Sequence, residues 1–267
     1  MVEPLYRAEG QQVAYHLRYS WTAWPAGSLW RSLPIDDLLS TLAPRWEQDG
    51  LRVLERLISP DKIQATFSTR PDVAPTALAR LAKGRLQHAM READRTFQGF
   101  SRKVSVRCVG RNRAKDVQAY IARQVEKEHF ADSRFEAMMR QFTVLCPSVN
   151  LALPDSSTHG RYWYNLHVVL VVAERYRIVD PHRLGTIRDR CFQIANKKGH
   201  RIAVLSVMPD HLHMALRGNR DESPQDIALA FQNNLAFALG QMRIWSDGYY
   251  VGTLGEYDMQ AIRQNRS

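Results

Sequence analysis

The chain repeats itself once, and this repeat limits the folds open to its 267 residues. Matching residues stand 149 positions apart on a strand, in a turn and at the start of a helix. The matched pairs are Tyr15 and Tyr164, Leu17 and Leu166, Pro60 and Pro209, and Pro75 and Pro224. After a four-residue deletion, Gly110 matches Gly255, 145 positions later. One offset held across several elements indicates an internal duplication.

Each copy has the pattern strand–helix–strand–strand–helix–strand, followed by a terminal helix. Apolar alternation and helical periodicity place the first copy's elements at 13–21, 34–48, 51–59, 63–69, 76–91 and 103–109, with a long helix at 114–142. The second copy's elements are at 164–169, 181–198, 201–207, 211–217, 224–240 and 249–254, and another helix starts near Asp258. Pro44 should kink or end the first helix. This split βαβ order predicts an α+β fold of two tandem ferredoxin-like domains, with the terminal helix complete only in the first.

The domain boundaries follow from the repeat. Residues 1–146 form the first domain, 163–267 the second, and 147–162 a linker. Pro147, Pro154 and Gly160 mark the linker as irregular and exposed.

Composition indicates the cellular setting and the class of partner. The net charge of +10 suggests a polyanion such as nucleic acid, although a merely basic surface is the alternative. Cys108, Cys146 and Cys191 show no metal or redox spacing, which fits a reducing cytosol. No apolar run has the length of a membrane span and no signal-peptide pattern is present. These features predict a cytoplasmic, nucleoid-associated protein without a membrane partner.

Two histidines on one strand are the first candidate for chemistry. His211 and His213 are separated by one residue, so they project from the same face of a strand. Two imidazoles on one face form half of a metal site, although a solvated polar face is the commoner meaning of such a pair. The matching residues of the first copy are Lys62 and Gln64. Only the second copy can therefore build a two-imidazole site.

A tyrosine on the first terminal helix is the second candidate. Tyr120 and Gln124 are four residues apart, so they share one helix face. The 145-residue offset puts Asn265 opposite Tyr120 in the second copy. A rival register, which matches 116–119 to 258–261, puts Ile262 there instead. In both registers the second copy lacks the tyrosine, although a buried aromatic is the alternative explanation of Tyr120.

The motif Pro-Asp-His-Leu-His on a strand, then a helix, a strand ending near glycine, and a Tyr-Ile-x-x-Gln helix resembles the single-tyrosine HUH transposases. These are small single-stranded-DNA transposases of bacterial insertion sequences, with their REP-associated relatives. The stretch Asp247–Thr253 is similar to the segment before that family's tyrosine helix. The resemblance implies a metal-dependent DNA endonuclease and strand transferase. Tyr120 would form a 5′-phosphotyrosine, and His211, His213 and Gln124 would hold Mg²⁺ or Mn²⁺.

In that family the tyrosine helix can be supplied in trans, from one subunit to the histidines of the other. The chain would then be a fused pseudo-dimer with one composite site and one dead site, active as a monomer on single-stranded DNA that carries a hairpin. The alternative is a domesticated, non-catalytic protein that only binds DNA hairpins. An RNA-binding ferredoxin-like module is a third possibility, but the aromatic strands that such modules use are missing.

Basic and aromatic residues provide candidate DNA contacts. Cationic side chains can follow phosphates, and tyrosines can stack on unpaired bases. Solvated surface and strand packing are the respective alternatives. The candidates are Lys83, Arg85, Arg102, Lys103, Arg107, Arg111, Arg113, Lys115, Tyr249 and Tyr250.

Overall fold

The computed structural model describes residues 3–27, 33–240 and 243–264. The first half contains β1 (Gln12–His16), β2 (Arg18–Pro25), α1 (Ile35–Gln48), β3 (Leu51–Ser59), β4 (Lys62–Thr69), α2 (Pro75–Ala93) and β5 (Phe100–Cys108). The middle contains α3 (Ala114–Ala122), α4 (Gln124–Lys127), α5 (Ser133–Met139), β6 (Thr143–Leu145), β7 (Asp155–Ser156) and β8 (Gly160–Trp163). The second half contains β9 (Asn165–Val172), α6 (Pro181–Lys198), β10 (Arg201–Val207), β11 (His211–Arg217), α7 (Pro224–Ala238), β12 (Trp245–Thr253) and α8 (Met259–Gln264).

The strands form two sheets of the same design. The first has the central order β3-β4-β2-β5 and the second β10-β11-β9-β12, with all of these neighbours antiparallel. Helices α1 and α2 pack on the first sheet, and α6 and α7 pack on the second. The ferredoxin-like α+β order expected from the sequence is therefore confirmed in both sheets. Within the described ranges no helix is long and apolar enough to cross a membrane.

The two sheets exchange strands. β1 leaves its own half and pairs in parallel with β12, where Val13 faces Tyr249. β8 does the reverse and pairs in parallel with β5, where Gly160 faces Val104. The single strand expected over 13–21 is therefore two strands, because the chain passes from one sheet to the other at Leu17.

A reciprocal backbone contact joins the halves just before the terminal helices. Gly110 pairs with Asp258, and Arg113 pairs with Gly255. At the offset of 145, Gly110 is equivalent to Gly255 and Arg113 is equivalent to Asp258 (110 + 145 = 255; 113 + 145 = 258), so the two contacts are equivalent to each other. Reciprocal contacts of this kind are typical of a two-fold interface. A Cβ atom on Gly255 would lie 2.3 Å from the carbonyl oxygen of Cys108, so a side chain does not fit there. The aligned glycines thus allow the two backbones to approach.

The structure corrects the repeat register on the first strand. Tyr19 pairs with Cys108 in the first sheet, and Leu166 pairs with Thr253 in the second. Since Cys108 and Thr253 are equivalent at the offset of 145, Tyr19 and Leu166 are equivalent too, at an offset of 147 (166 − 19). The expected match of Leu17 with Leu166 is wrong by two residues. A shift of two keeps every side chain on the same face, so the alternation of apolar residues could not reveal it.

Helix α1 continues through Pro44 to Gln48, so the early end that was one of the two expected outcomes is wrong. Two residues after Pro44, Trp46 is fully buried, and its ring lies edge-on to Phe67 with the centroids 5.4 Å apart. Its indole nitrogen donates to the carbonyl oxygen of Leu81 at 3.4 Å. Tertiary packing of the last turn thus outweighs the hydrogen bond that proline removes.

The long helix expected over 114–142 is broken into short pieces. Arg123 leaves helical geometry, with φ −100° and ψ 17°, and Glu128 is extended. The Asp132 side chain then caps α5 by accepting a hydrogen bond from the Arg134 amide at 2.8 Å. An aspartate at the N-cap is a start signal, and it favours a new helix over a continuous one.

The segment 147–162 is more regular than expected. It contains β7 and the start of β8, and both strands belong to the first sheet. Conversely, β6 precedes this segment and pairs with β10 of the second sheet. The middle of the chain therefore completes both sheets.

Candidate active site

The helix that carries Tyr120 lies on the second sheet. α3 packs against β10 and β11, and Ile121 is fully buried in a small cluster with Ala203 and Ala215. Along β11, Met214 instead joins the main core with residues of α6 and α7. Because side chains alternate along a strand, α3 covers the face opposite those two helices.

This arrangement brings Tyr120 to the histidine pair. The ring centroids of Tyr120 and His213 are 5.6 Å apart, and those of His211 and His213 are 4.9 Å apart. Tyr120 is 40% exposed, so part of this residue is accessible to a ligand. The site combines a tyrosine from the first half with two imidazoles from the second.

Asp210 orients His211. The Nδ1 atom of His211 lies 2.7 Å from one carboxylate oxygen of Asp210, and Arg175 lies 3.1 Å from the other. Burial raises the pKa of Asp210, but its hydrogen bond with His211, the charge of His211 and the contacts with Arg175 outweigh this and hold the pKa below its usual value. In the tautomer of His211 that donates from Nδ1 to this carboxylate, Nε2 is the atom that can bind a metal.

His167 is a site residue that the sequence analysis missed. Its Nε2 atom lies 3.0 Å from Nδ1 of His213, and the two rings are stacked with centroids 5.2 Å apart. Burial lowers the pKa of His167 to about 4 and that of His213 to about 2, the latter with help from the charges of His167, His211, Lys127 and Arg175. Both rings are therefore neutral at pH 7. The sequence could have indicated His167, because the expected ferredoxin-like order places β9 beside β11, the strand of the histidine pair.

Gln124 begins the short helix after the break. Its side chain is 6% exposed, and its amide nitrogen donates to the carbonyl oxygen of Tyr120 at 3.1 Å. This bond fixes the Gln124 amide next to the tyrosine and leaves its oxygen as the atom that can bind a cation.

Lys127 lies over the tyrosine. Its ammonium nitrogen is 3.6 Å from the centroid of the Tyr120 ring. A cation at this distance is attracted to the ring and would also stabilise negative charge on the phenol. No sequence motif marks Lys127.

In the described part of the chain, no group of three or more His, Cys, Asp or Glu side chains is arranged to hold a metal ion. The imidazole nitrogens and the Gln124 amide oxygen are nevertheless donor types that a divalent cation accepts. In the tautomer that donates from Nδ1 of His213 to His167, Nε2 of His213 is free to bind a metal. Neutral imidazoles and one amide oxygen are suitable ligands for Mn²⁺, and less so for Mg²⁺, which prefers oxygen. Such a set leaves positions for phosphate oxygens.

The equivalent face of the first sheet has a different set of side chains. Lys62 and Gln64 occupy the positions of His211 and His213, and Ile262 of α8 lines the same cavity as both. The amide nitrogen of Gln64 donates to the hydroxyl oxygen of Ser20 at 2.7 Å, and Ser20 is the equivalent of His167 (167 − 20 = 147). The reciprocal glycine contact supports the 145-residue register, which places Asn265 opposite Tyr120. Asn265 itself is outside the described residues.

Some of the residues proposed to contact DNA instead bind or pack against other residues of the protein. Arg85 makes two short hydrogen bonds to Asp49, at 2.5 and 2.7 Å. The ammonium of Lys83 donates to the carbonyl oxygen of Ser101 at 2.6 Å. Tyr249 is 4% exposed, so its ring packs inside the protein and cannot stack on a base, contrary to that expectation.

Other candidates remain accessible. Tyr250 is half-buried, and its ring lies 5.5 Å from that of His167 on the active-site face. Arg107 is half-buried, with its guanidinium 4.0 Å above the ring of Trp163. The remaining cations are exposed around β5 and the start of α3, and they are Arg102, Lys103, Arg111, Arg113 and Lys115.

The second half of the chain is similar to known transposases. Residues 161–264 match the family model described as "Transposase IS200 like". A putative transposase from Deinococcus radiodurans R1 is 20% identical, with a TM-score of 0.32, over 38% of this chain and 86% of that chain. The REP-associated tyrosine transposase, solved bound to a REP hairpin, is 12% identical, with a TM-score of 0.31, over 38% of this chain and 61% of that chain. None of the curated proteins compared with the chain matches it.

The matched residues contain β9 to β12 and both histidines of the pair, and they end in α8. The second half of the chain is therefore similar to the IS200-like transposases over these residues.

Proposed function

We propose that the chain is a single-stranded DNA nickase and rejoining enzyme with one composite active site. The observation that carries this proposal is the 5.6 Å distance between the rings of Tyr120 and His213, which come from different halves of the chain. A tyrosine nucleophile beside two neutral imidazoles has no purpose in a protein that only binds DNA.

We further propose that the chain is a fused pseudo-dimer of two transposase-like domains, 1–146 and 163–267. The reciprocal pairing of Gly110 with Asp258 and of Arg113 with Gly255 supports it, because two-fold symmetric partners make such contacts. So does the reciprocal exchange of β1 and β8. Each terminal helix is then supplied to the other half's sheet.

His211, His213 and Gln124 would hold the divalent cation in this scheme. Asp210 and His167 would keep the two imidazoles in the required tautomers, since each bonds the Nδ1 atom of its neighbour. A bound cation supplies charge neutralisation and orientation of the scissile phosphate.

Tyr120 acts as the nucleophile. Its phenolic oxygen attacks the phosphorus in line, the bond to the 3′ oxygen breaks, and a 5′-phosphotyrosine and a 3′-hydroxyl are formed. The phenol proton is lost and the departing 3′ oxygen gains one. One phosphodiester replaces another, so the step needs no nucleotide energy source and is reversible. Lys127 stabilises charge that develops on the phenol oxygen.

The substrate in this proposal is single-stranded DNA that carries a hairpin. The net charge of +10 supports a polyanionic substrate, and the IS200-like family supports DNA.

The test is a covalent adduct between the protein and a labelled single-stranded hairpin oligonucleotide in the presence of MnCl₂, resolved on a denaturing gel. Wild-type protein should form the adduct and Tyr120→Phe should not, while Tyr257→Phe serves as the matched control. Lys127→Gln should slow adduct formation by about tenfold. DNA binding without an adduct in the wild type would favour the domesticated, non-catalytic protein instead.

A further inference from the structure

The first sheet has a cavity where its own active site would be. The cavity measures about 350 Å³ and lies on the face that carries Lys62 and Gln64, with Tyr257 and Ile262 from the second half also lining it. Ligand pockets begin at roughly this volume. The position matters because the pseudo-two-fold makes it equivalent to the site of Tyr120 and His213.

Lys62 places a positive charge at this cavity, and it has no direct ion-pair partner among the described residues. Its side chain is half-buried, and it has no hydrogen-bond or ion-pair partner in the described part of the chain. Glu55 also lines the cavity, and one of its oxygens lies 2.8 Å from Nε of Arg263 on α8. A half-buried ammonium without a counter-ion favours an anionic ligand.

Arg107 adds a second, preorganised cation to the cavity wall. Its guanidinium lies 4.0 Å above the ring of Trp163 and 5.3 Å from the centroid of Tyr257. It also lies 3.8 Å from Glu256, an exposed contact that offsets little of its charge. Stacking fixes the plane of the guanidinium, and a fixed guanidinium suits phosphate oxygens.

Polar and aromatic groups complete the lining. Gln64 uses its amide nitrogen on Ser20, which leaves the amide oxygen for a donor on a ligand. Tyr257 is 41% exposed and offers a ring at the edge of the cavity. Cations that bind phosphate, together with an aromatic ring beside them, are the features of single-stranded nucleic-acid binding.

We propose that this cavity is a non-catalytic anchor for one nucleotide of single-stranded DNA, in which Lys62 binds the phosphate. The cavity lacks both the imidazole pair and the tyrosine, so the strand is held but not cut. One chain would then hold DNA at two places related by the pseudo-two-fold and cleave it at only one. The proposal rests on the proposed single-stranded DNA substrate but not on the chemistry of Tyr120.

The test measures binding of a fluorescein-labelled single-stranded oligonucleotide by fluorescence anisotropy at several salt concentrations. Lys62→Ala should weaken binding by about three- to tenfold and reduce the slope of log K against log salt by about 0.7, the value for one phosphate contact. Lys62→Arg should retain most of the affinity. The matched control is Lys197→Ala, which removes an exposed lysine from α6.

The outcomes separate this proposal from the proposed function. Lys62→Ala protein that still melts at the wild-type temperature and forms the Tyr120 adduct at saturating DNA, but binds more weakly, supports the anchor. Equal affinities and salt slopes for Lys62→Ala and Lys197→Ala would overturn the anchor and leave the nuclease untouched. A wild-type protein that does not bind single-stranded DNA would overturn the proposed substrate and the anchor together.

Discussion

The ring of Tyr120 lies 5.6 Å from the ring of His213, although the two residues are 93 positions apart in the sequence (213 − 120 = 93). Tyr120 reaches this position because α3 leaves the first half and packs on the second sheet through Ile121. The first sheet, in contrast, has Lys62 and Gln64 in its cavity. A complete set of candidate catalytic groups therefore exists in one chain, at one place.

We predict that mixing two inactive variants will not restore activity. Tyr120→Phe removes the nucleophile and His213→Ala removes an imidazole, and each chain then lacks one part of its own composite site. Because both groups come from the same chain in this structure, an equimolar mixture should form no DNA adduct. Each variant with wild-type protein is the control. Adduct formation by the mixture would mean that the site assembles between two chains.

The histidine pair and its counterpart should respond differently to substitution. His211→Ala and His213→Ala should each reduce cleavage at saturating DNA by at least about a hundredfold, because a ligand of the cation is lost. Lys62→Ala and Gln64→Ala should leave that rate within about twofold. Single-turnover cleavage of a labelled oligonucleotide measures all four. A loss in the Lys62 or Gln64 variant as large as in the histidine variants would show that the first sheet takes part in the chemistry.

His167 should act as a positioning residue for His213. His167→Phe keeps a ring of similar size but removes the hydrogen bond to Nδ1 of His213. We expect the Mn²⁺ concentration for half-maximal cleavage to rise by about 10- to 100-fold, with a smaller change in the rate at saturating Mn²⁺. Tyr250→Phe keeps the ring that contacts His167 and should behave as wild type. An unchanged Mn²⁺ requirement in His167→Phe would contradict this role.

Stability should fall in mild acid because of His200. This side chain is 1% exposed, and burial lowers its pKa below 6.5, with Glu222 opposing and Lys198 assisting the shift. The unfolded chain then takes up a proton at a higher pH than the folded chain. The contribution of His200 to the free energy of unfolding is therefore greatest above pH 6.5, and it is lost as the pH decreases towards the pKa of His200 in the folded protein.

Urea unfolding at pH 7.5, 6.5 and 5.5 measures this effect. His200→Asn keeps an acceptor for the backbone amide of Asn219, which His200 binds at 2.9 Å, but cannot gain a proton. Its loss of stability between pH 6.5 and 5.5 should be smaller than that of wild type. His88→Asn, an exposed change on α2, is the control. Parallel curves for wild type and His200→Asn would exclude the contribution.

The sequence alone determined the fold class and the order of elements. Period-2 and period-3.6 patterns are local, so β10, β11 and α6 begin and end at the residues that were expected. The aligned glycines Gly110 and Gly255 also gave the correct register of the last strand. Local patterns gave the wrong prediction at positions where a long-range contact decides the structure. Pro44 stays helical because Trp46 is buried against Phe67, and the first-strand register slipped by two because alternation cannot detect an even shift.

Part of the candidate site could likewise be predicted from the sequence alone. Local spacing was enough to pair His211 with His213 on a strand and Tyr120 with Gln124 near a helix. That His167 stacks on His213 and that Lys127 lies over Tyr120 depends on how strands are ordered and where a broken helix turns. Only the tertiary structure decided which sheet α3 covers, because that choice comes from burying Ile121 against Ala203 and Ala215, contacts between residues about 80 to 95 positions apart.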